Sequence, residues 1–289
     1  MTSVDLTFAL AAGVTLGVVQ GVSEWLPVSS KTQVIIVSTL LFGLTFSQGY
    51  TLGLFLEFGT FFAAVVYFRK ELVLVLKAIV GKGGPGGRLM LKYLLIVTVI
   101  TGIMGIAIYK GVESLNLGSA VGAPMIILGV VLILDGLFIR YSRSHAMPHK
   151  SLQDMKLKEL VLIGFAQGLS AFPGVSRSGT TVSAMLVLGT DPKEAFRLSF
   201  LALIPASVGA TLVTLLFSSS PVVTGTGVLS LPVIAVALVV TFIVGSVMIR
   251  WLLKVAAHER ITTLVFALGI LAILSGVLGI IFGASIRLS

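Results

Sequence analysis

The chain of 289 residues contains no cysteine and only three histidines, His145, His149 and His258. The absence of cysteine excludes disulfides, thiolate metal sites and a cysteine nucleophile. So few histidines nearly exclude a metal site built from several of them. Charged residues are also scarce, at 11% of the chain, compared with about 25% in average soluble domains. Because so little charge cannot cover a water-exposed surface, the composition excludes a soluble globular protein.

Apolar residues dominate the chain, at 56% of the composition with a mean hydropathy of +1.11. A helix of about 20 apolar residues crosses the hydrocarbon core of a bilayer. Six runs of about that length predict an all-α polytopic membrane protein. The predicted spans are residues 52–68, 91–109, 121–140, 198–217, 229–250 and 262–284.

Two further apolar regions, 6–46 and 160–190, are each interrupted by a polar centre. The centres read GVSEWLPVSSKTQ (21–33) and GLSAFPGVSRSGTT (168–181), and both contain proline and several hydroxyl residues. Non-helical backbone at membrane depth survives only where protein buries it or where it lines a wet cavity. The pattern therefore predicts two re-entrant helix–loop–helix hairpins. Eight to ten simple spans are the alternative.

The net charge of +9 follows the membrane boundaries and does not form one patch, which argues against nucleic-acid binding. Basic residues concentrate in connections that the positive-inside rule assigns to the cytoplasm. Those connections are 69–92, 140–158, 193–197 and 250–260, whereas 110–120 and 218–228 hold only Lys110. This distribution predicts that both termini lie outside, with the first hairpin entering from outside and the second from inside.

An internal repeat appears when residues 17–33 are laid on 164–180. Six positions match: Gly17/Gly164, Gln20/Gln167, Gly21/Gly168, Ser23/Ser170, Val28/Val175 and Ser29/Ser176. We predict one integral membrane domain over 1–289, with repeat one at about 1–140 and repeat two at about 160–289. An odd number of spans per half makes the repeats inverted, and such proteins place a binding site at the repeat interface.

Ionisable side chains within the apolar zone are functional candidates, because burying them in a bilayer costs several kcal/mol. Gln20 and Glu24 share one helix face at spacing i, i+4. The Glu24 carboxylate is a candidate cation ligand or general base. The alternative is that Glu24 only neutralises Lys31 or Arg177. Since the two loops hold two cations and one acid, the excess positive charge suits an anion.

The hydroxyl-rich loops around Lys31 and Arg177 together predict a phosphate or diphosphate cradle. A guanidinium binds phosphate through paired hydrogen bonds. The structural alternatives are an Arg177–Glu24 ion pair and helix capping by the loop hydroxyls of Ser178, Thr180 and Thr181.

Two acidic side chains lie within predicted spans. Glu57 faces either the site or a neighbouring helix. For Asp135, an interfacial salt bridge with Arg140 is the favoured interpretation.

These motifs resemble the undecaprenyl-diphosphate phosphatase family, the bacitracin-resistance type of membrane phosphatase, over nearly the whole chain. The stretch PGVSRSGTT (173–181) matches that family's second signature, and QGVSEWLPVSS (20–30) is similar to its first. The resemblance implies removal of the terminal phosphate from a polyprenyl diphosphate lipid for envelope glycan assembly. It also implies a divalent cation (Mg or Ca), a site open to the outer face of the cell membrane, the same inverted-repeat architecture, and a homodimer as an option.

The resemblance and the chemistry of the two loops together assign roles to individual residues. Glu24, Ser30 and Arg177 are the candidate catalytic residues, and Glu24 and Gln20 are the candidate metal ligands. Candidate substrate-binding residues are Ser29, Lys31, Gln33, Gly174, Ser176, Ser178 and Thr181.

Three positions depart from the family pattern. Gln20 stands where the family has its first Glu, and Lys31 and Gln33 stand in a segment that reads Thr-Gly-His there. Loss of a carboxylate weakens cation binding, whereas Lys31 adds a phosphate-binding charge. We expect Glu24 to activate Ser30, or a water, for attack on the terminal phosphorus. A lipid-phosphate transporter without hydrolysis is the competing function, and phosphoryl transfer between lipid carriers is a further one.

Overall fold

The computed structural model describes residues 6–114, 123–144, 150–218 and 227–255, together with residue 223 and scattered positions between 266 and 280. The three histidines lie outside these residues. The predicted span 262–284 falls on the scattered positions, where the described residues are helical.

Ten α-helices make up the continuous part of the described chain. They are α1 Leu6–Ser23, α2 Ser30–Phe42, α3 Phe46–Tyr67, α4 Arg69–Ile79, α5 Gly84–Ser114, α6 Ala123–Ser144, α7 Leu157–Leu169, α8 Arg177–Val187, α9 Pro192–Phe217 and α10 Leu231–Val255.

Five of these helices (α3, α5, α6, α9 and α10) are long and apolar enough to cross a membrane. They coincide with the first five predicted spans and confirm an all-α polytopic membrane protein. Several begin earlier than the apolar runs, because polar caps set the start of a helix. Thr45 accepts a bond from the Gln48 amide ahead of α3, and Asp191 caps α9 with Pro192 at its first position.

Both interrupted regions fold as helix–loop–helix units, α1 with α2 and α7 with α8. The helices α2, α7 and α8 have 13, 13 and 11 residues. At about 1.5 Å per residue each is shorter than the hydrocarbon core. This geometry favours the hairpins over eight to ten simple spans.

One helix, α4, was not predicted from the long apolar runs, which treat residues 69–92 as a basic connection. Its sequence RKELVLVLKAI combines Arg69, Lys70 and Lys77 with an apolar face whose Leu76 and Ile79 are exposed. Basic residues and exposed apolar residues on one short helix are typical of a helix lying at a membrane interface.

Helix starts in the two halves correspond at the offset of 147 residues that aligns Gly17 with Gly164. Ser30 begins α2 where Arg177 begins α8, and Gly84 begins α5 where Leu231 begins α10. Packing follows the same correspondence: α1 packs on α10, α7 packs on α5, and α3 contacts α9. These observations agree with the repeat, whose boundaries and inverted orientation stay predictions.

Gly17 and Gly164 make equivalent close approaches in the two halves. A Cβ at Gly17 would lie 2.6 Å from the carbonyl of Ala237, and one at Gly164 would lie 2.9 Å from Ile100. A threonine of the facing helix donates to each glycine carbonyl, Thr241 to Gly17 at 3.3 Å and Thr101 to Gly164 at 3.2 Å. Small residues with threonine hydrogen bonds hold helices together in membranes, where no hydrophobic force does so.

Candidate functional site

Glu24 lies in the loop after α1, is 5% exposed and accepts bonds from three side chains. Its Oε1 accepts from the Arg177 guanidinium, with which it forms an ion pair. Its Oε2 accepts from the Ser30 hydroxyl at 2.6 Å and from the Gln20 side-chain amide at 2.5 Å. The structure therefore brings together Gln20 and the three candidate catalytic residues, and the ion pair predicted as the structural alternative for Arg177 is present.

Glu57, on α3, faces the same site and links its two cations. Its Oε1 lies 3.4 Å from the Lys31 ammonium, and its Oε2 lies 3.2 Å from Arg177. This contact decides between the two positions left open for Glu57. We call Glu24, Lys31, Glu57 and Arg177 the charge cluster. Glu57 balances the excess positive charge that the two loops carry by themselves, so the charge cluster as a whole is formally neutral.

The helix starts bring the cations to the cluster. Lys31 is the second residue of α2 and Arg177 is the first residue of α8. Helix N-termini carry unpaired N–H groups and a partial positive charge that favour anions. Gly53 of α3 lets α2 approach closely, since a Cβ there would lie 3.2 Å from the Cα of Lys31. One helical turn further along α3, Glu57 then meets the Lys31 ammonium.

The first loop is held by its own side chains. Ser29 has φ +55°, the only positive φ of a non-glycine residue in the described chain, and its hydroxyl lies 2.9 Å from that of Thr32. Gln33 donates to the Val28 carbonyl at 3.0 Å. The side chains of Ser29 and Gln33 therefore contact the loop itself rather than the charge cluster. A serine held at positive φ stores strain of the kind that collects at functional sites.

In the second loop Ser176, not a later hydroxyl, caps α8. Its Oγ accepts from the Gly179 amide at 3.2 Å, so the structural alternative of capping by Ser178, Thr180 or Thr181 is wrong. Ser178 instead donates to the Leu26 carbonyl at 3.0 Å, which joins the two loops. Thr181 is buried and its hydroxyl has no hydrogen-bond partner in the described chain.

Gly174 occupies a position of the second loop that no other residue fits. It has φ +100°, in the left-handed region that favours glycine. A Cβ would also lie 2.7 Å from Val131 of α6. Gly174 therefore sets the path of the loop and its packing on α6.

Asp135 also supports the second loop, and the predicted interfacial salt bridge with Arg140 is wrong. Its carboxylate is buried and accepts from the Ser176 backbone N–H at 3.1 Å and from the Thr180 hydroxyl at 3.1 Å. The sequence indicated that Asp135 needs a polar partner, because it is an acid within an apolar span. It did not indicate which residue that partner is.

A cavity of about 140 Å³ adjoins the charge cluster. Lys31, Glu57 and Arg177 line it, and Glu24 joins them through its ion pair with Arg177. Its other lining residues, mostly apolar, come from α3, α5, α7 with the loop that follows it, and α9. They include Tyr50, Leu54, Ile106, Tyr109, Gln167, Ala210 and Val213. Ser207 of α9, which the sequence did not indicate, accepts from Arg177 at 3.3 Å.

The donor set at Gln20 and Glu24 fits a divalent cation poorly. Such a cation needs several oxygen ligands. Both Glu24 oxygens already accept bonds, and Gln20 points its nitrogen at Glu24, so Oε1 of Gln20 is the one oxygen of this pair that is buried without a hydrogen-bond partner in the described chain. In the described part of the chain, no group of three or more His, Asp or Glu residues is arranged to hold a metal. The divalent cation stays a prediction.

Two broken helix pairs meet at a buried charge cluster beside a mostly apolar cavity, so this membrane protein has a polar site among its helices. The chain belongs to the bacitracin resistance protein BacA family, whose model matches residues 13–276. The family resemblance predicted from the two motifs is thereby confirmed.

Several relatives match over nearly their full length. A protein of Saccharolobus solfataricus named undecaprenyl-diphosphatase is 49% identical over 92% of this chain and 95% of its own. One of Saccharolobus islandicus (strain M.16.4 / Kamchatka #3) with the same name is 49% identical over 88% of this chain and 90% of its own. A third of that name, from Pyrobaculum aerophilum, is 38% identical over 94% of this chain and 99% of its own.

Proposed function

We propose that this protein is a membrane phosphatase that hydrolyses undecaprenyl diphosphate, or a similar polyprenyl diphosphate, to the monophosphate and inorganic phosphate. One observation carries the proposal. A carboxylate (Glu24) contacts both a serine hydroxyl (Ser30) and a guanidinium (Arg177), and the guanidinium lines a cavity. A nucleophile bonded to a base that a third group orients is the arrangement that nucleophilic catalysis needs. The names of the relatives support the same activity.

Arg177 and Lys31 bind the diphosphate in this proposal. The guanidinium offers paired N–H donors that match phosphate oxygens, and the ammonium adds a compact point charge. Both side chains line the cavity, and both follow a helix N-terminus that favours anions. The incoming phosphate oxygens take the place of Glu57 as partners of the two cations.

Glu24 acts as the general base. Ser30, or a water molecule in its place, attacks the terminal phosphorus in line with the bridging oxygen. A new oxygen–phosphorus bond forms, the bridging bond breaks, the proton of the attacking hydroxyl passes to Glu24, and the lipid monophosphate leaves as an anion. Where Ser30 attacks, water then hydrolyses the phosphoserine and releases phosphate. Positioning and charge neutralisation supply most of the rate in phosphoryl transfer.

The position of the cavity supports a site that opens to the outer face of the cell membrane. From Glu57 the lining continues along α3 through Leu54 to Tyr50, and it reaches Tyr109 of α5 and Val213 of α9. Tyr50 lies near the start of α3, and Tyr109 and Val213 lie near the ends of α5 and α9. These three helix ends are opposite the ends that join the basic connections, which the positive-inside rule assigns to the cytoplasm. The apolar walls suit the first isoprene units of the lipid, while the bilayer holds the rest of the chain. A homodimer stays an expectation.

The relatives' names favour hydrolysis over lipid transport without hydrolysis. The deciding experiment is phosphate release from C55 diphosphate by the purified protein in detergent, with Mg²⁺, with Ca²⁺ and with EDTA. The variants Arg177→Ala and Glu24→Gln are measured beside the wild type. Release that both variants abolish supports the proposal. Binding of polyprenyl phosphate without release at several chain lengths points to the transporter, and radiolabel passing to a second lipid points to phosphoryl transfer.

A further inference from the structure

All four carboxylate oxygens of the charge cluster already contact a donor side chain. Oε1 of Glu24 accepts from Arg177, and Oε2 of Glu24 accepts from Ser30 and Gln20. Oε1 of Glu57 pairs with Lys31, and Oε2 of Glu57 pairs with Arg177. A divalent cation would have to displace these five contacts, three of which are made by cationic side chains. Each displaced cation would then lie beside the metal and repel it.

The charge balance of the cluster also argues against a bound divalent cation. Two carboxylates and two cationic side chains give the cluster a formal charge of zero, and the side chains of all four are at most 7% exposed. A buried charge is tolerated when it is paired. Carboxylates that bind Mg²⁺ or Ca²⁺ need negative charge that no other group balances. The charges of Glu24 and Glu57 are already balanced by Lys31 and Arg177. The first acid of the family motif would supply that charge, but Gln20 stands in its place.

Lys31 can bring to the phosphate, with its ammonium, the positive charge that a divalent cation would bring. Its ammonium lies at the cavity wall, 3.4 Å from Glu57, with its backbone packed on Gly53 of α3. An ammonium presents three donors and a full positive charge to phosphate without needing carboxylate ligands of its own. Lys31 and Gln20 are both departures from the family pattern, and both lie in the first motif.

We propose that the Lys31 ammonium takes the role of the divalent cation, so that this protein hydrolyses its lipid diphosphate without a metal ion. The inference rests on the proposed phosphatase function. Lys31 and Arg177 exchange Glu57 for the phosphate oxygens and neutralise the charge that develops on the terminal phosphate and on the leaving lipid phosphate.

The first test measures phosphate release from C55 diphosphate by the full-length protein in detergent, after exhaustive chelation. We expect the rate in EDTA to lie within about twofold of the rates with Mg²⁺, Ca²⁺ or Mn²⁺, because no step uses a metal. Lys31→Met should lower kcat/KM by about 100-fold or more, with no rescue by added metal. The control Lys158→Met removes an exposed lysine of α7 and should keep the wild-type rate.

The second test measures metal binding directly and does not depend on activity. Mn²⁺ titration followed by electron paramagnetic resonance should show no bound ion in the wild type. The double variant Gln20→Glu/Lys31→Thr restores a free carboxylate and removes the ammonium, so it should bind Mn²⁺. A melting curve of each variant in detergent verifies that it is folded.

The two proposals fail in different ways. Wild-type release that EDTA abolishes and Mg²⁺ restores, or a wild-type protein that binds Mn²⁺, overturns the role of Lys31 and leaves the phosphatase intact. No release under any metal condition overturns the phosphatase itself, and the role of Lys31 with it.

Discussion

Arg177 and Glu24 lie 153 positions apart in the chain and form a buried ion pair. One begins the second helix of the second hairpin, and the other follows the first helix of the first hairpin. The pair therefore joins the two halves at the point where each helix is broken. The same guanidinium contacts Glu57 at 3.2 Å, which ties both loops to α3.

Arg177→Lys tests the need for a planar guanidinium. Lysine keeps the charge but has no pair of parallel donors for phosphate or carboxylate. We expect kcat/KM for phosphate release to fall by about 100-fold, equivalent to about 2.7 kcal/mol. Arg197→Lys is the matched control, because Arg197 pairs with Glu71 and Glu194 at a partly exposed position and should lose little. Equal rates for the two variants would contradict the role of Arg177.

Ser30→Ala tests the hydroxyl that donates to Glu24. We expect kcat to fall by about 1000-fold with little change in KM, since the serine acts in the chemical step. Ser38→Ala alters the same helix at a hydroxyl that bonds the Ile35 carbonyl, and it should stay active. Mass spectrometry of the acid-quenched wild type then separates the two nucleophiles: phosphoserine at Ser30 means attack by serine, and its absence means attack by water.

Glu57→Gln releases the two cations from their shared acid. Because Glu57 competes with phosphate for Lys31 and Arg177, the variant should bind inorganic phosphate about tenfold more tightly, a gain of about 1.4 kcal/mol. Its melting temperature without phosphate should fall, since two buried cations then share one acid. Product-inhibition constants and thermal melts measure both effects, with Glu71→Gln as control. Weaker inhibition by phosphate would show that Glu57 does not compete with it.

Asp135→Ala leaves the Ser176 N–H without its buried acceptor, while the Thr180 hydroxyl keeps the Ser176 carbonyl as its acceptor. An unsatisfied buried donor costs about 1–3 kcal/mol. We expect a lower melting temperature in detergent and a lower phosphate-release rate, because the loop that carries Arg177 loses its support. Asp135→Asn keeps one acceptor oxygen and should lie between the alanine variant and the wild type. If alanine and wild type melt together, Asp135 does not hold the loop.

Gly174→Ala adds a methyl group where the backbone has φ +100° and where Val131 lies 2.7 Å from the new atom. Both effects destabilise the second loop, the backbone alone by about 1–3 kcal/mol. Gly111→Ala is the control, since nothing lies within 4 Å of its Cβ position in α5. That variant should keep or slightly raise the melting temperature. Equal melting of both variants is the result that counts against the strained loop.

The sequence by itself determined the membrane class, five of the spans, the two helix breaks and the loops that carry the charges. These features depend on local properties: the length of an apolar run, the missing N–H of Pro27 and Pro173, and the cost of a charge in hydrocarbon. The motif residues Glu24, Ser30 and Arg177 could likewise be named, because the loops hold few polar side chains.

Only the tertiary structure decided which charges meet. A span that is apolar all round does not reveal which of its faces is buried, so Glu57 could be placed toward the site only once α2 and α3 packed at Gly53. The partner of Asp135 could not be predicted either, because the buried face of α6 was unknown. Its carboxylate contacts the loop before α8 and not Arg140. The contact between Glu24 and Arg177 brings together residues from opposite halves of the chain, and no local pattern encodes a distance of that kind.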